Sequence, residues 1–158
     1  MDDYAGAIGP QTGLILKVHR SNFFMKGFVA APERRELAVL ARKKRVPFME
    51  DLGSGVLLPT GDWAEGHHEP MPREVLKDGA DIVCFSGDKL MGGPQSGIIA
   101  GRARHVQALK KHPFFRALRC DKLVLSVLQS TAEHYLHDQG GELPLQGMLT
   151  ADLASIQR

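Results

Sequence analysis

The sequence predicts an α/β fold built on a mostly parallel sheet. Short apolar runs of strand length alternate along the chain with segments whose apolar residues recur at helical spacing. The connections between them are short, as they are where helices cover the faces of a parallel sheet. The third observation is size. The chain has 158 residues, of which 43% are hydrophobic and 24% charged. That suits one domain rather than two, and such a domain buries about 70% of its unfolded surface.

The elements follow in order. Residues 14–18 form a short apolar run after a Gly/Pro/Thr turn and are expected as a buried strand. Residues 32–42 are expected as a helix, with Pro32 before an acidic first turn and apolar Leu37, Leu40 and Ala41 on one face. Residues 46–51 are a second strand, closed by Glu50 and Asp51 and then by Gly53-Ser54-Gly55. Residues 58–72 carry three prolines and two glycines and are expected as loop. A short helix over 73–77 leads to a third strand at 80–85, and a glycine-rich turn leads to a fourth at 97–101. Helical periodicity returns over 102–111 and 121–135. Four strands are few for a doubly wound sheet, and the segment from Gly140 starts a new Leu-bearing pattern that stops midway, so the chain reads as part of a larger domain.

Composition excludes several classes. Seventeen glycines and nine prolines fall in no period, against collagen-like or low-complexity chains. Twenty basic residues against 18 acidic ones give +2, with no global basic field to announce nucleic acid. Cys84 and Cys120 sit in no CxxC or Cys/His cluster, and are expected as reduced thiols in a cytoplasmic protein. No apolar run has the length of about 18 residues that a membrane span needs, and Met1-Asp2-Asp3-Tyr4 has no basic or apolar leader character. His67 and His68 have no partner at metal-ligand spacing, so no metal is expected.

In an open α/β sheet, ligands collect beyond the carboxyl ends of the strands. The second strand ends at Asp51, and the third runs into Ser86-Gly87-Asp88-Lys89-Leu90-Met91-Gly92-Gly93-Pro94-Gln95. A phosphate loop of the GxxxxGK[ST] type is excluded, because Leu90 follows the lysine and the paired glycines come after it. A lysine set among glycines after a strand suits a nucleophilic amine whose pKa burial lowers, and a strand-end carboxylate suits a protonated pyridine nitrogen. With Ser86 three residues before Lys89 as a phosphate donor, this is the arrangement expected for pyridoxal phosphate. The plain alternative for Lys89 is a solvated turn lysine.

The segment from Phe85 to Ile99 resembles the cofactor-lysine segment of the bacterial selenocysteine synthases, the L-seryl-tRNA(Sec) selenium transferases. Leu16-Lys17-Val18-His19-Arg20-Ser21-Asn22-Phe23 resembles their KVHTSNY strand, and Glu50-Asp51-Leu52-Gly53-Ser54-Gly55 their DLGSG turn. His112-Pro113 through Arg116-Ala117-Leu118-Arg119-Cys120-Asp121-Lys122 resembles their HPLKRALRxDK segment, and the likeness runs from about residue 3 to residue 150.

The resemblance implies part of the large domain of an aspartate-aminotransferase-like (fold type I) pyridoxal-phosphate transferase. Residues 1–139 would belong to that domain, and residues 140–158 would start the segment leading to a C-terminal domain. It implies that Lys89 forms the Schiff base with pyridoxal 5'-phosphate, Asp51 pairs with the pyridine nitrogen and Ser86 contacts the phosphate. Gly92 and Gly93 would let a neighbouring subunit's backbone approach, and Arg116 and Arg119 would bind the selenium-donor anion, as guanidinium forks suit oxyanions. The implied reaction converts L-seryl-tRNA(Sec) to L-selenocysteinyl-tRNA(Sec) with selenophosphate, through an aminoacrylyl intermediate, in a cytoplasmic homo-oligomer with sites between subunits. Lys89 would be the base for the α-proton. Arg20 stands where the family has Thr, Phe23 where it has Tyr, and residues 57–63 depart from its pattern. His19 ends the first strand and either faces the site or is satisfied locally. Arg102, Arg104, Lys110 and Lys111 either meet tRNA phosphates or form a solvated face. The alternatives kept beside this reading are a related pyridoxal-phosphate lyase acting on a small amino sugar or amino acid, and a non-catalytic remnant with little transferase activity by itself.

Overall fold

The computed structural model describes residues 1–23, 25–61 and 68–157. Four strands form one sheet in the order β1 (Ile15–Val18), β2 (Phe48–Gly53), β3 (Ile82–Ser86), β4 (Gly97–Gly101). β1, β2 and β3 are parallel, with Val18 opposite Asp51 and Asp51 opposite Cys84. β4 returns antiparallel beside β3, so that Ser86 faces Gly97. The mostly parallel sheet expected from the alternation is therefore present, with one reversed edge strand. The reversal follows from the connection. Only ten residues separate Ser86 from Gly97, and a parallel return needs a crossover of a dozen or more.

The expectation of a buried first strand is corrected. β1 is an edge strand whose residues alternate, with Ile15 4% exposed and Leu16 and Val18 turned outward at 49% and 60%. A four-residue run carries too few positions for periodicity to separate a half-buried strand from a buried one.

Helix α2 (Arg34–Lys44) packs Leu37, Ala38, Leu40 and Ala41 into the core. Its start is fixed by the Glu36 carboxylate, which accepts from the Glu33 N–H at 3.1 Å. It ends at Arg45 in the left-handed conformation. Phe48, Leu52, Val75 and Val83 complete the centre of the core, each essentially inaccessible. Burying one such side chain contributes about 1.5–3 kcal/mol.

α3 (Pro72–Lys77) starts on its proline, one residue before the expected start. α4 (Ala103–Lys111) and α6 (Lys122–Leu136) lie where helical spacing placed them. Asp121 caps α6 by accepting from the Val124 N–H at 2.9 Å. α1 (Asp2–Ala7), α5 (Pro113–Leu118), α7 (Pro144–Leu149) and α8 (Leu153–Ile156) are additional, each six residues or fewer and too short to show a period. Of the expected loop, residues 62–67 lie outside the described residues, and with them His67, Asp62 and Trp63.

A buried ion network ties α2 to the sheet. Glu50 on β2 is 0% exposed and is gripped by Arg34 through Nε at 2.6 Å and Nη2 at 3.1 Å. Arg34 Nη1 reaches Asp78 at 3.0 Å, and Arg35 Nε donates to the same carboxylate at 2.8 Å. Asp78 closes α3 as its C-cap, so three elements share one network.

Candidate functional site

The carboxyl ends of β2 and β3 lie side by side, and the turn after β2 is built for close approach. A side chain at Gly55 (φ +70°) would run into the Ser86 carbonyl oxygen, so only glycine lets the end of β3 sit against this turn. Asp51 lies half-buried one pleat earlier, and its Oδ1 accepts from the Gly53 N–H at 3.1 Å. A Cβ at Gly53 (φ +69°) would stand 3.2 Å from Ser21 Oγ and 3.9 Å from Lys89 Nζ. The amine expected as nucleophile and the acid expected to face a ring nitrogen thus converge on one glycine, with the Ser21 hydroxyl beside them.

Cys84 lies beside Asp51 across the ladder. Burial first, then the charge and contact of the Asp51 carboxylate, push the thiol up to about 11. The thiol therefore stays protonated at neutral pH. Below the same turn, Ser54 Oγ is buried without a hydrogen-bond partner among the described residues, while the Ser54 carbonyl accepts from the Leu90 N–H at 2.9 Å.

The Lys89 loop is held from behind. Gly92 N–H bonds to the Lys89 carbonyl and Gly93 N–H to the Gly87 carbonyl, both at 2.8 Å. Tyr135 of α6 donates to the Met91 carbonyl at 2.7 Å, and Gln146 of α7 donates to the Leu90 carbonyl at 2.7 Å. Burial raises the Tyr135 phenol, against the lowering effect of its contact with Gln146, which keeps it a donor. Gly92 faces Leu145 of α7, and Gly93 faces Thr131 of α6. Gly93 also lies against the Gly87 carbonyl of the same loop, and Gly92 near Leu143.

Lys89, Asp51, Ser86, Gly92 and Gly93 belong to one region. Arg116 and Arg119 are exposed on α5 and at its C-cap, and no hydrogen bond or ion pair among the described residues joins them to Lys89, Asp51 or Ser86. The expected burial of Lys89 is corrected: the residue is exposed, because the loop leaves β3 at the open carboxyl edge of the sheet. His19 is satisfied locally. Its Nε2 lies 3.2 Å from Glu69 Oε2, and its backbone N–H donates to the Asp51 carbonyl at 2.8 Å. Arg20 and Phe23 line a cavity of about 450 Å³ beside β1 that includes neither Lys89 nor Asp51. Among the described residues, no three His, Cys, Asp or Glu side chains gather to hold a metal.

Sequence reasoning missed Ser21, Cys84, Tyr135 and Gln146 as parts of this region. In the sequence Cys84 reads only as a reduced thiol, since register with Asp51 is invisible before the strands are paired.

This arrangement fits pyridoxal phosphate. The amine, carboxylate and hydroxyls are the donor set that the group needs, and the absent side chain at Gly53 leaves the space between them open.

Residues 1–158 match the family model described as L-seryl-tRNA selenium transferase. An L-seryl-tRNA(Sec) selenium transferase of Hyphomonas neptunium is 48% identical over 157 residues, covering 98% of this chain and 34% of the relative. Those of Geotalea uraniireducens and Shewanella oneidensis are 44% and 42% identical over 158 and 160 residues, each again with 34% of the relative covered. The chain spans about a third of the length of the curated relatives it matches. Among solved structures, D-glucosaminate-6-phosphate ammonia-lyase superposes with a TM-score of 0.61 at 22% identity, over 84% of this chain and 32% of that one. A complex of SepCysS with the SepCysE N-terminal domain gives 0.54 at 19% identity, over 90% of this chain and 36% of that one. These two likenesses bear on the fold, which is the expected α/β, aspartate-aminotransferase-like fold of type I, in part. No helix among the described residues is long and apolar enough to cross a membrane.

Proposed function

The chain belongs to the L-seryl-tRNA selenium transferase family, and from that membership we propose that it forms the lysine-bearing part of an enzyme converting L-seryl-tRNA(Sec) to L-selenocysteinyl-tRNA(Sec). The serine hydroxyl leaves as water with the α-proton, selenium from selenophosphate takes its place on the β-carbon, and water cleaves the Se–P bond to release phosphate. Pyridoxal phosphate, when bound, supplies an electron sink for the bond broken at the serine α-carbon.

Lys89 would hold that cofactor through its side-chain amine, and its free amine would be the base for the serine α-proton. Asp51 would keep a proton on the ring nitrogen, with the Cys84 thiol beside it across the ladder. Ser86 holds the cofactor phosphate. Gly92 and Gly93, which already receive α7 and α6 of this chain, would also admit a neighbouring subunit's backbone, and Arg116 and Arg119 would bind the selenium donor as an oxyanion. The cytoplasmic, homo-oligomeric setting is part of the same reading and rests on the family.

The observation that carries the proposal is the convergence of Lys89 Nζ and the Asp51 carboxylate on Gly53. Its test is to mix the purified chain with pyridoxal phosphate, record the visible band, reduce with borohydride and map the labelled peptide. A yellow band and a label on Lys89 are expected. Label on another lysine, or none in a chain folded by circular dichroism, overturns the site. The loaded chain is then titrated with seryl-tRNA(Sec) and with free L-serine. A spectral change with free serine and none with the aminoacyl-tRNA overturns the substrate reading in favour of a small-molecule lyase.

A further inference from the structure

At the end of the sheet opposite Lys89, where β2 and β3 begin and β4 ends, basic side chains collect round a cavity of about 420 Å³. Its polar lining is Arg42, Arg45, Arg102, Arg104, His105 and Asp81. They come from three places in the sequence, namely the end of α2, the start of β3 and the turn from β4 into α4.

Asp81 is the one carboxylate in that lining, and it is fully engaged. Its Oδ2 accepts from the Phe48 N–H at 3.0 Å, while its Oδ1 takes Arg102 Nε at 2.8 Å and Arg104 Nη2 at 3.5 Å. Arg104 Nε also donates to His105 Nε2 at 3.0 Å, so this histidine presents an acceptor to the arginine. Arg42 and Arg45 take part in no ion pair among the described residues. Four guanidinium charges against one carboxylate leave an excess of three positive charges here, in a chain whose whole net charge is only +2. The concentration is local, and it was hidden in the sequence because residues 42–45 and 102–105 meet only once β2, β3 and β4 are paired.

We propose that this cavity binds the phosphate backbone of an RNA. Guanidinium forks match phosphate oxygens, and Arg102 and Arg104 keep 52% and 67% of their side chains open to solvent while paired to Asp81. Three unneutralised charges spread over two elements suit successive phosphates of a backbone better than one free anion. The choice of tRNA as the RNA rests on the function proposed above. The lysines at the end of α4, Lys110 and Lys111, are not among the lining residues, and so serve as a control for charge alone.

The test is fluorescence anisotropy of fluorescein-labelled bulk tRNA titrated with the chain, from about 50 to about 200 mM salt. Arg42→Gln combined with Arg45→Asn, which suits the left-handed backbone at 45, is expected to weaken binding about tenfold and to flatten the log–log salt slope by about 2. Arg42→Lys with Arg45→Lys, which keeps the charge, is expected to retain most of the affinity, and Lys110→Gln with Lys111→Gln to change it much less than the neutral arginine pair. Equal losses from the lysine pair and the neutral arginine pair would overturn the site, as would no binding by the parent chain. Displacement of the tRNA by low-millimolar inorganic phosphate at constant ionic strength would overturn it in favour of a free-anion pocket. Circular dichroism of each variant separates lost contacts from lost fold. Lys89 labelled by cofactor with no tRNA affinity sinks this inference alone, and tRNA affinity with Lys89 unlabelled sinks the cofactor reading alone.

Discussion

Cys84 and Asp51 are partners across the parallel β2–β3 ladder, and the Asp51 carboxylate favours the protonated Cys84 thiol. Burial first, then the charge and contact of Asp51, raise the thiol pKa to about 11. Alkylation needs the thiolate. At pH 8, iodoacetamide is therefore expected to modify Cys84 slowly, with the rate climbing only as pH nears that value. Asp51→Asn removes the carboxylate charge and leaves burial in place, so it should speed Cys84 alkylation by lowering its pKa part of the way. Peptide mass spectrometry against time reads both rates. An unchanged rate in the Asp51→Asn variant would mean the two side chains are not coupled.

Arg34→Ala would leave the Glu50 carboxylate buried with no counter-charge. Breaking a buried pair in this way costs about 3–5 kcal/mol, more than the pair contributes relative to an apolar replacement. Urea unfolding should show the midpoint falling with little change in slope, and Arg34→Lys should fall in between because it keeps the charge but loses the fork. A loss below about 1 kcal/mol, the range of exposed ion pairs, would show that Glu50 is hydrated in solution.

Asp78 supplies a pH signature from the same network. The Arg35 hydrogen bond holds its carboxyl below the ordinary 3.8, with burial opposing and Arg34 adding to the lowering. A carboxyl whose folded pKa is lowered adds stability that is present above its unfolded value and lost as pH falls through the folded one. Stability should therefore decline as pH drops below about 4, and Asp78→Asn should remove part of that decline while lowering the plateau near neutrality. Thermal melts at a series of pH values check both. Parallel curves for the two proteins would refute the coupling.

The strands and the long helices were legible because each repeats a pattern over enough residues, as Leu37, Leu40 and Ala41 do on α2. The ordering of Asp51 and Lys89 at neighbouring strand ends was legible for the same reason, since parallel topology puts all carboxyl ends together. What stayed hidden depended on pairing across the sheet. The Asp51–Cys84 contact, the outward face of Leu16 and Val18, and the grip of Tyr135 on the Met91 carbonyl are set by register and tertiary approach. The short helices α5 and α7 begin on Pro113 and Pro144, and six residues were too few to show a period.

Tyr135→Phe should loosen the Lys89 loop without unfolding the domain. It removes the donor to the Met91 carbonyl at 2.7 Å and keeps the ring, at a cost of about 1 kcal/mol. Hydrogen exchange by NMR should then quicken at Leu90, Gly92 and Gly93, whose N–H groups close this loop on Ser54, Lys89 and Gly87. Protection in β2 should hold. Uniform loss of protection across the sheet would mean that Tyr135 supports the whole fold rather than the loop.

Gly53→Ala tests the space between Lys89 and Asp51 most directly. The added methyl would sit 3.9 Å from Lys89 Nζ and 3.2 Å from Ser21 Oγ, at a φ of +69°. The left-handed backbone alone costs an alanine about 1–2 kcal/mol. Gly61→Ala provides the comparison, because Gly61 also has a positive φ, +45°, and its added methyl meets nothing within 4 Å among the described residues. Both variants should melt earlier than the parent. Only Gly53→Ala should cut the borohydride-trapped cofactor label on Lys89, since only there does the methyl enter the gap that a ring would occupy. If both variants lose label in proportion to their lost stability, the gap at Gly53 is not where the cofactor sits.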